Sequence, residues 1–481
     1  MNFARDVVDA APPDRPALVA LGRDGSRREI AFGAVADRSA RLAGTLLARG
    51  VGPGDVVLTL IGNRPEWVEA MIACFRIGAV VLPCNEQLRA RDLRLRLAVA
   101  EPALILADER NLPELEGAGP ACPVLAVPDE GLYAAAPAPA AELAPEDPCL
   151  IVFTSGTSGE PKAVVHLQRY LPGQQVQAEH WFGPRAGELA WCTAASGWSK
   201  SARNVFMAPW LRGAAALLHD ARFDPAERLD ILAREGVAVL CMAPTEYRVM
   251  AKRSQPRPIP GLRGLVAAGE ALDPDTLGAW HEATGLEIRD GYGQTETGQT
   301  TGNPVGAPAR PGSMGRPLPG MRLWVEDGEL VLDPATVPTF FGHYLGEAPP
   351  QGTWHTGDHV RQDEDGYLYF EGRSDDVIIS AGYRIGPFEV ESALVEHPAV
   401  AEAAVVAHPD DERGSVVRAV VVLRDGYAAG DDLAREIQDH VKRSTAPYKY
   451  PRVVDFVDEL PKTASGKIRR AVLRGAPPGA V

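Results

Sequence analysis

The sequence predicts an α/β protein: a large N-terminal body of layered, largely parallel sheets, followed by a smaller α+β domain. Three observations predict it. Helix-periodic and apolar strand-like segments alternate through the first two thirds of the chain. Glycine- and hydroxyl-rich turns follow directly on strand-like runs. The texture changes near Arg373, after which one strongly apolar strand lies between two helical segments. Alternation of strand and helix patterns indicates α/β layers with largely parallel sheets.

Taken in order, residues 34–48 carry helical periodicity that stops at Gly50, 55–60 read as a strand, 65–75 as a helix and 79–82 as a strand. Residues 131–148 are rich in Ala and Pro and read as an exposed connection. Residues 150–153 and 163–166 are strand-like and flank a polar loop. Further on come a helix over 225–235, strands over 237–242, 262–268 and 287–290, and an irregular Gly/Pro-rich stretch over 302–320. Beyond Arg373, a helix over 387–396 starts with proline in its first turn and stops before Pro398. Residues 416–423 form an apolar strand, and 431–443 an amphipathic helix with an acidic start and a basic end that complements the helix dipole. Two domains are expected, 1–372 and 373–481, with Arg373-Ser374-Asp375-Asp376 between them.

A chain of 481 residues buries a large core, and 45% apolar with 23% charged residues is ordinary for a globular protein. Forty-nine basic against 64 acidic residues give a net charge of −15, which argues against a nucleic-acid binder. No apolar run is long enough to span a membrane and no signal-peptide h-region is seen. The six cysteines form no C-x-x-C pair and none follows Cys241. They read as reduced core thiols, and the expected location is cytoplasmic.

The most informative stretch is Thr154-Ser155-Gly156-Thr157-Ser158-Gly159-Glu160-Pro161-Lys162, with four hydroxyls, two glycines and a lysine after an apolar run. Glycines let backbone N–H groups approach a polyanion, and hydroxyls and lysine add donors and charge. It is not a Walker A loop: the glycines are too close, Pro161 precedes the lysine, and strand-like rather than helical sequence follows. The bland alternative is a Ser/Gly surface linker. Three further motifs are Gly291-Tyr292-Gly293-Gln294-Thr295-Glu296-Thr297-Gly298, Thr356-Gly357-Asp358 and Pro461-Lys462-Thr463-Ala464-Ser465-Gly466-Lys467. Taken alone, each also has a bland reading: a polar turn with a packed tyrosine, a cap or turn aspartate, and a solvated tail lysine.

Together, in this order and with the run Gly372-Arg373-Ser374-Asp375-Asp376 through Ser380-Ala381-Gly382-Tyr383-Arg384-Ile385-Gly386-Pro387, they resemble the adenylate-forming superfamily of acyl-CoA synthetases, luciferases and nonribosomal peptide adenylation domains. The runs at 380–387 and 445–452 look most like medium-chain acyl-CoA synthetases. The resemblance spans nearly the whole chain and implies a mobile C-terminal domain. It also implies ATP, Mg²⁺ and CoA as cofactors and co-substrate, and a small carboxylic acid as the partner; a homo-oligomer stays open.

The resemblance also implies roles. Thr154, Ser155, Gly156, Thr157, Ser158, Gly159 and Lys162 hold phosphates. Gly269, Glu270 and Ala271 border the adenine, and Asp290, Gly291, Tyr292, Gly293 and Gln294 complete the nucleotide site, with Tyr292 stacking. Thr295 meets the α-phosphate or the acyl carboxylate, and Glu296 the Mg²⁺. Asp358 and Arg373 bind the ribose, Lys467 serves adenylation, and Asp375 is the hinge. Ala381, Gly382 and Tyr383 line the thiol tunnel, and Arg413, Lys442, Tyr450 and Arg452 hold the CoA phosphates. Trp198, Gly293 and Arg384 shape the acyl pocket, and glycine at 293 leaves room where acetyl-CoA synthetases carry tryptophan. Lys200 departs from the apolar residue expected after Trp198; a solvent-facing side chain is the favoured reading, a contact to a second polar group on the acid the other. The activity implied is an ATP-dependent acid:CoA ligase. The alternatives are an enzyme that loads a carrier protein and a non-catalytic nucleotide-binding regulator.

Overall fold

The computed structural model describes residues 1–154, 161–270, 272–373, 376–380, 383–410, 413–445, 449–462 and 467–476, with the backbone alone for Ile379, Tyr383 and Arg384. The chain divides into two units. The first holds Met1–Thr154, Lys162–Arg322 and Asp333–Gly352; the second gathers Leu323–Leu332 with Thr353–Val481. Arg373 therefore lies inside the second unit, at the end of a four-stranded sheet running Leu323–Glu326, Glu329–Leu332, Trp354–Gln362, Leu368–Arg373. Hairpin pairing explains this: the short Glu329–Leu332 strand takes Trp354–Gln362 as its antiparallel neighbour, with Val331 opposite His355.

The first unit carries two sheets. One has seven strands in the order His343–Tyr344, Ala163–Leu167, Pro148–Phe153, Val80–Pro83, Val56–Leu60, Leu104–Asp108, Val124–Val127. The other has nine, in the order Arg316–Pro317, Gly298–Gly302, Ile288–Gln294, Gly264–Ala268, Val237–Met242, Leu189–Cys192, Ala215–His219, Pro16–Leu21, Arg27–Ala31. Their central strands are parallel and nearly all apolar, as strands covered on both faces must be. The helices obey local punctuation. Pro225–Glu235 starts with Pro after Asp224, whose carboxylate accepts from the Glu227 N–H at 2.8 Å, and ends at Gly236 with φ 69°. Pro274–Thr284 repeats the device with Asp273 and Gly285.

In the second unit, the Val400–Asp410 and Gly414–Leu423 strands pair antiparallel, and Val453–Phe456 adds in parallel. Helices Pro387–Val395 and Asp431–Ser444 contribute Val390, Leu394, Ile437 and Val441 to a core with Val405 and Val417. Among the described residues no helix is long and apolar enough to cross a membrane, and all six cysteines are unpaired.

Three sequence expectations change. Residues 131–148 are not an exposed connection throughout: Leu132, Tyr133 and Ala138 are buried. The segment straps the first unit, with Thr45 donating to the Leu132 carbonyl at 2.7 Å and the Ala138 N–H to Ala40 at 2.8 Å. The turn expected over 291–298 is shorter, because the Ile288–Gln294 strand runs on through Gly291-Tyr292-Gly293 before reversing into Gly298–Gly302. Asp358 lies within the Trp354–Gln362 strand rather than in a turn.

Candidate functional site

The expected nucleotide residues of the first unit collect where parallel strands end. The Pro148–Phe153 strand delivers Thr154, and the base of the loop is closed by two hydrogen bonds. The Thr154 N–H donates to the Lys162 carbonyl at 2.9 Å, and the Lys162 N–H to Thr154 Oγ1 at 3.0 Å. Ser155, Gly156, Thr157, Ser158 and Gly159 lie outside the described residues. Lys162 is exposed, and its Nζ stands 4.4 Å from the centroid of the Tyr344 ring.

At the end of the Ile288–Gln294 strand, Thr295 and Glu296 form the turn into Gly298–Gly302. A segment that no motif marked braces this turn. Thr339 Oγ1 donates to the Thr297 carbonyl at 2.6 Å, the Phe341 N–H to the Glu296 carbonyl at 2.8 Å, and Tyr344 Oη to Glu296 Oε1 at 2.9 Å. Tyr344 belongs to a two-residue strand paired with Val164 at the start of the strand that leaves the loop. Lys162, at the end of the hydroxyl-rich motif, and the Glu296 turn, far apart in sequence, thus meet at one aromatic side chain.

Gly293 is fixed by backbone, not by an open pocket. A Cβ there would stand 1.8 Å from the Gly298 carbonyl oxygen, at the register shift between Tyr292 and Gly293. The room expected at Gly293 does not lie in its side-chain direction. Tyr292 is itself 9% exposed, packed into the sheet end. Asp290 is 7% exposed, and burial pushes its carboxyl up to about 8 although the Gly291 N–H donates to Oδ1 at 2.8 Å. It holds its proton at neutral pH.

Gly269 has φ 107°, and Glu270 after it accepts from Thr245 Oγ1 at 2.7 Å and Arg248 Nη2 at 2.9 Å. Ala271 lies outside the described residues. Thr245 and Arg248 were missed because they occupy an ordinary amphipathic helix, Pro244–Arg253. Trp198 follows Gly197, whose φ is 87° and whose Cβ would stand 2.2 Å from the Asn85 nitrogen; only glycine permits that approach. Lys200 does not face solvent as expected. It is half-buried, and its Nζ donates to the Ala268 carbonyl at 2.6 Å, at the end of the Gly264–Ala268 strand beside Gly269. The carbonyls at the end of a parallel strand lack ladder partners, so a neighbouring ammonium is a favourable donor.

His166 also went unnoticed. It is fully buried on the Ala163–Leu167 strand, its ring 4.0 Å from that of Tyr170, and burial pushes its pKa down to about 3, so it is neutral.

In the second unit, the expected ribose pair is assembled by strand register. Asp358 stands opposite Arg373, with Nη1 donating to Oδ1 at 3.3 Å. Three expected CoA residues also converge. Lys442 Nζ lies 4.2 Å from the Tyr450 ring centroid, Arg452 Cζ lies 4.9 Å from it, and Arg452 Nη1 donates to Tyr450 Oη at 2.8 Å. Arg413 is an exposed turn residue whose N–H donates to Asp410 at 2.9 Å. Lys467 is half-buried next to the bridge between Lys462 and Ile468. Asp375, Ala381 and Gly382 lie outside the described residues; Tyr383 and Arg384 are placed on the Tyr383–Ile385 strand by backbone only.

Comparisons with known proteins fit this arrangement. The AMP-binding enzyme model matches residues 5–342, and the AMP-binding enzyme C-terminal domain model matches 389–467. Acyl-coenzyme A synthetase ACSM4, mitochondrial, of Homo sapiens is 38% identical, covering 98% of this chain and 90% of that protein. Acyl-coenzyme A synthetase ACSM3, mitochondrial, of Mus musculus is 36% identical with the same coverage, 98% and 90%. A benzoate CoA ligase from Burkholderia xenovorans LB400 superposes with a TM-score of 0.88 at 28% identity, covering 98% of this chain and 100% of that one. The mitochondrial relatives overturn the cytoplasmic placement expected from the thiols and the first residues. Unpaired buried cysteines report a reducing surrounding, not which compartment supplies it. With two thirds of the chain matched by one model and most of the remainder by its companion, the chain belongs to the AMP-binding enzyme family.

Proposed function

We propose that this protein is an ATP-dependent, AMP-forming acid:CoA ligase acting on a medium-chain or aromatic carboxylic acid. The observation that carries the reading is the meeting of Lys162 and Glu296 at Tyr344. A cation on a hydroxyl-rich loop and a carboxylate at a strand-end turn sit within one side chain of each other, as a site for a metal-bound polyphosphate requires.

The first step is attack of the substrate carboxylate on the α-phosphorus of ATP, with pyrophosphate leaving. Two anions must approach, so the chain has to supply cations and oriented donors where charge builds up. Lys162 and the loop at 154–162 restrain the leaving pyrophosphate. Thr295 donates toward the reacting phosphate or carboxylate, and Lys467 neutralises the attack. Asp358 and Arg373 orient the nucleotide through its ribose, and Gly269, Glu270 and Tyr292 frame its base. Glu296 fits a Mg²⁺ site, because this ion is typically held by one or two carboxylates together with substrate phosphates rather than by an all-protein cage. Among the described residues no group of three or more His, Cys, Asp or Glu is placed to hold a metal alone. When bound, the ion neutralises phosphate charge.

In the second step the CoA thiol attacks the acyl carbonyl and AMP leaves. Lys442, Tyr450, Arg452 and Arg413 receive the CoA phosphates, giving local positive charge on a chain whose net charge is −15. The segment around Gly382 admits the pantetheine arm, with Asp375 as the hinge between the two steps. Incubation with ATP, free CoA and a panel of short, medium, branched and aromatic acids tests the reading: thioester and AMP are expected. ADP as product, or thioester only on a carrier protein and no saturation by CoA, would sink it.

A further inference from the structure

Tyr344 belongs to none of the sequence motifs, yet it touches two of them. Its backbone is locked to the strand that leaves the loop: the Gly342 N–H donates to Val165 at 2.8 Å and the Leu345 N–H to Ala163 at 2.9 Å. From that strand its hydroxyl reaches Glu296 Oε1 at 2.9 Å while its ring face receives Lys162 Nζ at 4.4 Å from the centroid. The Phe341 ring packs beside it, centroids 4.9 Å apart, and the Phe341 N–H holds the Glu296 main chain at 2.8 Å. Glu296 is thus held at both its backbone and its carboxylate by one short segment.

The chemistry of the two contacts matters. A phenol is a neutral donor, so it fixes the plane of a carboxylate without cancelling the negative charge a cation needs. An ionised carboxylate offers about four lone-pair sites, so one O–H donor leaves the rest open. The π face attracts the ammonium weakly enough for a phosphate to take it over. The two opposite charges of the site are therefore each met by one uncharged side chain.

We infer that Tyr344 is a positioning residue of the ATP site: its hydroxyl sets the Glu296 carboxylate for Mg²⁺ and its ring holds Lys162 ready for the polyphosphate. This rests on the ATP site of the ligase reading. On ATP entry Lys162 moves from the ring to phosphate, while the Tyr344–Glu296 hydrogen bond persists.

The test uses the full chain and reads ATP binding calorimetrically without acid, first in chelator and then across a Mg²⁺ series. Tyr344→Phe keeps the ring and removes the hydroxyl; Tyr344→Leu removes both. Tyr344→Phe is expected to bind ATP in chelator within about twofold of wild type, and to need about tenfold more Mg²⁺ for half its metal-stimulated affinity, the size of one hydrogen bond to a charged group. Tyr344→Leu is expected to show the same metal shift and to bind ATP in chelator within about threefold of wild type, because the cation–π contact it removes is weak and is given up on ATP entry. An unchanged Mg²⁺ midpoint in Tyr344→Phe overturns the inference, even if Tyr344→Leu is impaired, since ring packing alone would then explain the loss. The phenylalanine variant is nearly isosteric and decides the matter if the leucine variant does not fold. A wild-type chain that binds Mg·ATP but makes no AMP removes the ligase reading and leaves the role of Tyr344 standing; one that binds no ATP removes both.

Discussion

Asp358 and Arg373 face each other across two antiparallel strands, joined by one hydrogen bond of 3.3 Å, with the Asp358 side chain 5% exposed and that of Arg373 42% exposed. The buried acid is an acceptor held in place by a half-solvated cation. Such a pair suits two vicinal hydroxyls, which need an acceptor and a rigid frame around it.

Asp358→Asn is therefore expected to raise KM for ATP by about tenfold or more in acid-dependent pyrophosphate exchange, with a smaller effect on kcat. Ribose contacts serve ground and transition states alike, so their loss falls on KM. An unchanged KM for ATP in Asp358→Asn and Asp358→Ala would remove the pair from the nucleotide site.

Lys467 and Gly382 should separate the two half-reactions. Lys467→Ala is expected to lose about 10²–10³-fold in adenylate formation, the usual cost of one donor to developing charge, yet still convert supplied acyl-AMP to thioester. Gly382→Leu is expected to do the reverse. Equal loss of both steps in both variants would contradict the use of one segment for each step.

The Lys442–Tyr450–Arg452 cluster predicts a CoA-specific defect. Arg452→Ala should raise KM for CoA by about fivefold to tenfold, in keeping with loss of a charge-assisted contact to phosphate. Pyrophosphate exchange should not change. With dephospho-CoA as substrate, wild type and variant should converge. A defect of equal size with both thiols would place the cluster away from the 3′-phosphate.

Asp290 and His166 predict how stability changes with pH, and the signs are opposite. Burial raises Asp290 from 3.8 to about 8, so its contribution is fully present below the unfolded value and is lost as pH rises toward the folded one. Burial lowers His166 from 6.5 to about 3, so its contribution is present above the unfolded value and is lost as pH falls. Chemical denaturation should show Asp290→Asn removing about 2 kcal/mol of the decline between about pH 6 and pH 8. Lys200 partly offsets the rise at Asp290, so Lys200→Met should extend the decline to higher pH. An Asp290→Asn profile parallel to wild type would show that the carboxyl is ionised in the folded chain.

Much of the fold was legible because local chemistry marks it. The helix Pro225–Glu235 and the strand Val237–Met242 carry their own boundaries, through Asp224, Pro225 and Gly236 and through an unbroken apolar run. The loop at 154–162 announced phosphate chemistry by its glycines, hydroxyls and lysine, whereas the motifs at 291–298, 356–358 and 461–467 pointed to nucleotide chemistry through their joint resemblance to the adenylate-forming superfamily. The sequence by itself determined the family and the class of reaction.

The tertiary structure decided the rest, for one physical reason: strand pairing and packing join residues whose separation along the chain hides their contact. It placed Asp358 opposite Arg373, brought two cations onto Tyr450, turned Lys200 from solvent to the Ala268 carbonyl, and showed that Gly293 is required by the backbone of the neighbouring strand. Above all it brought Tyr344, a residue with no motif of its own, between Lys162 and Glu296. A side chain that acts by touching two motifs has no sequence signature, because its position is set by the pairing of the strand that carries it.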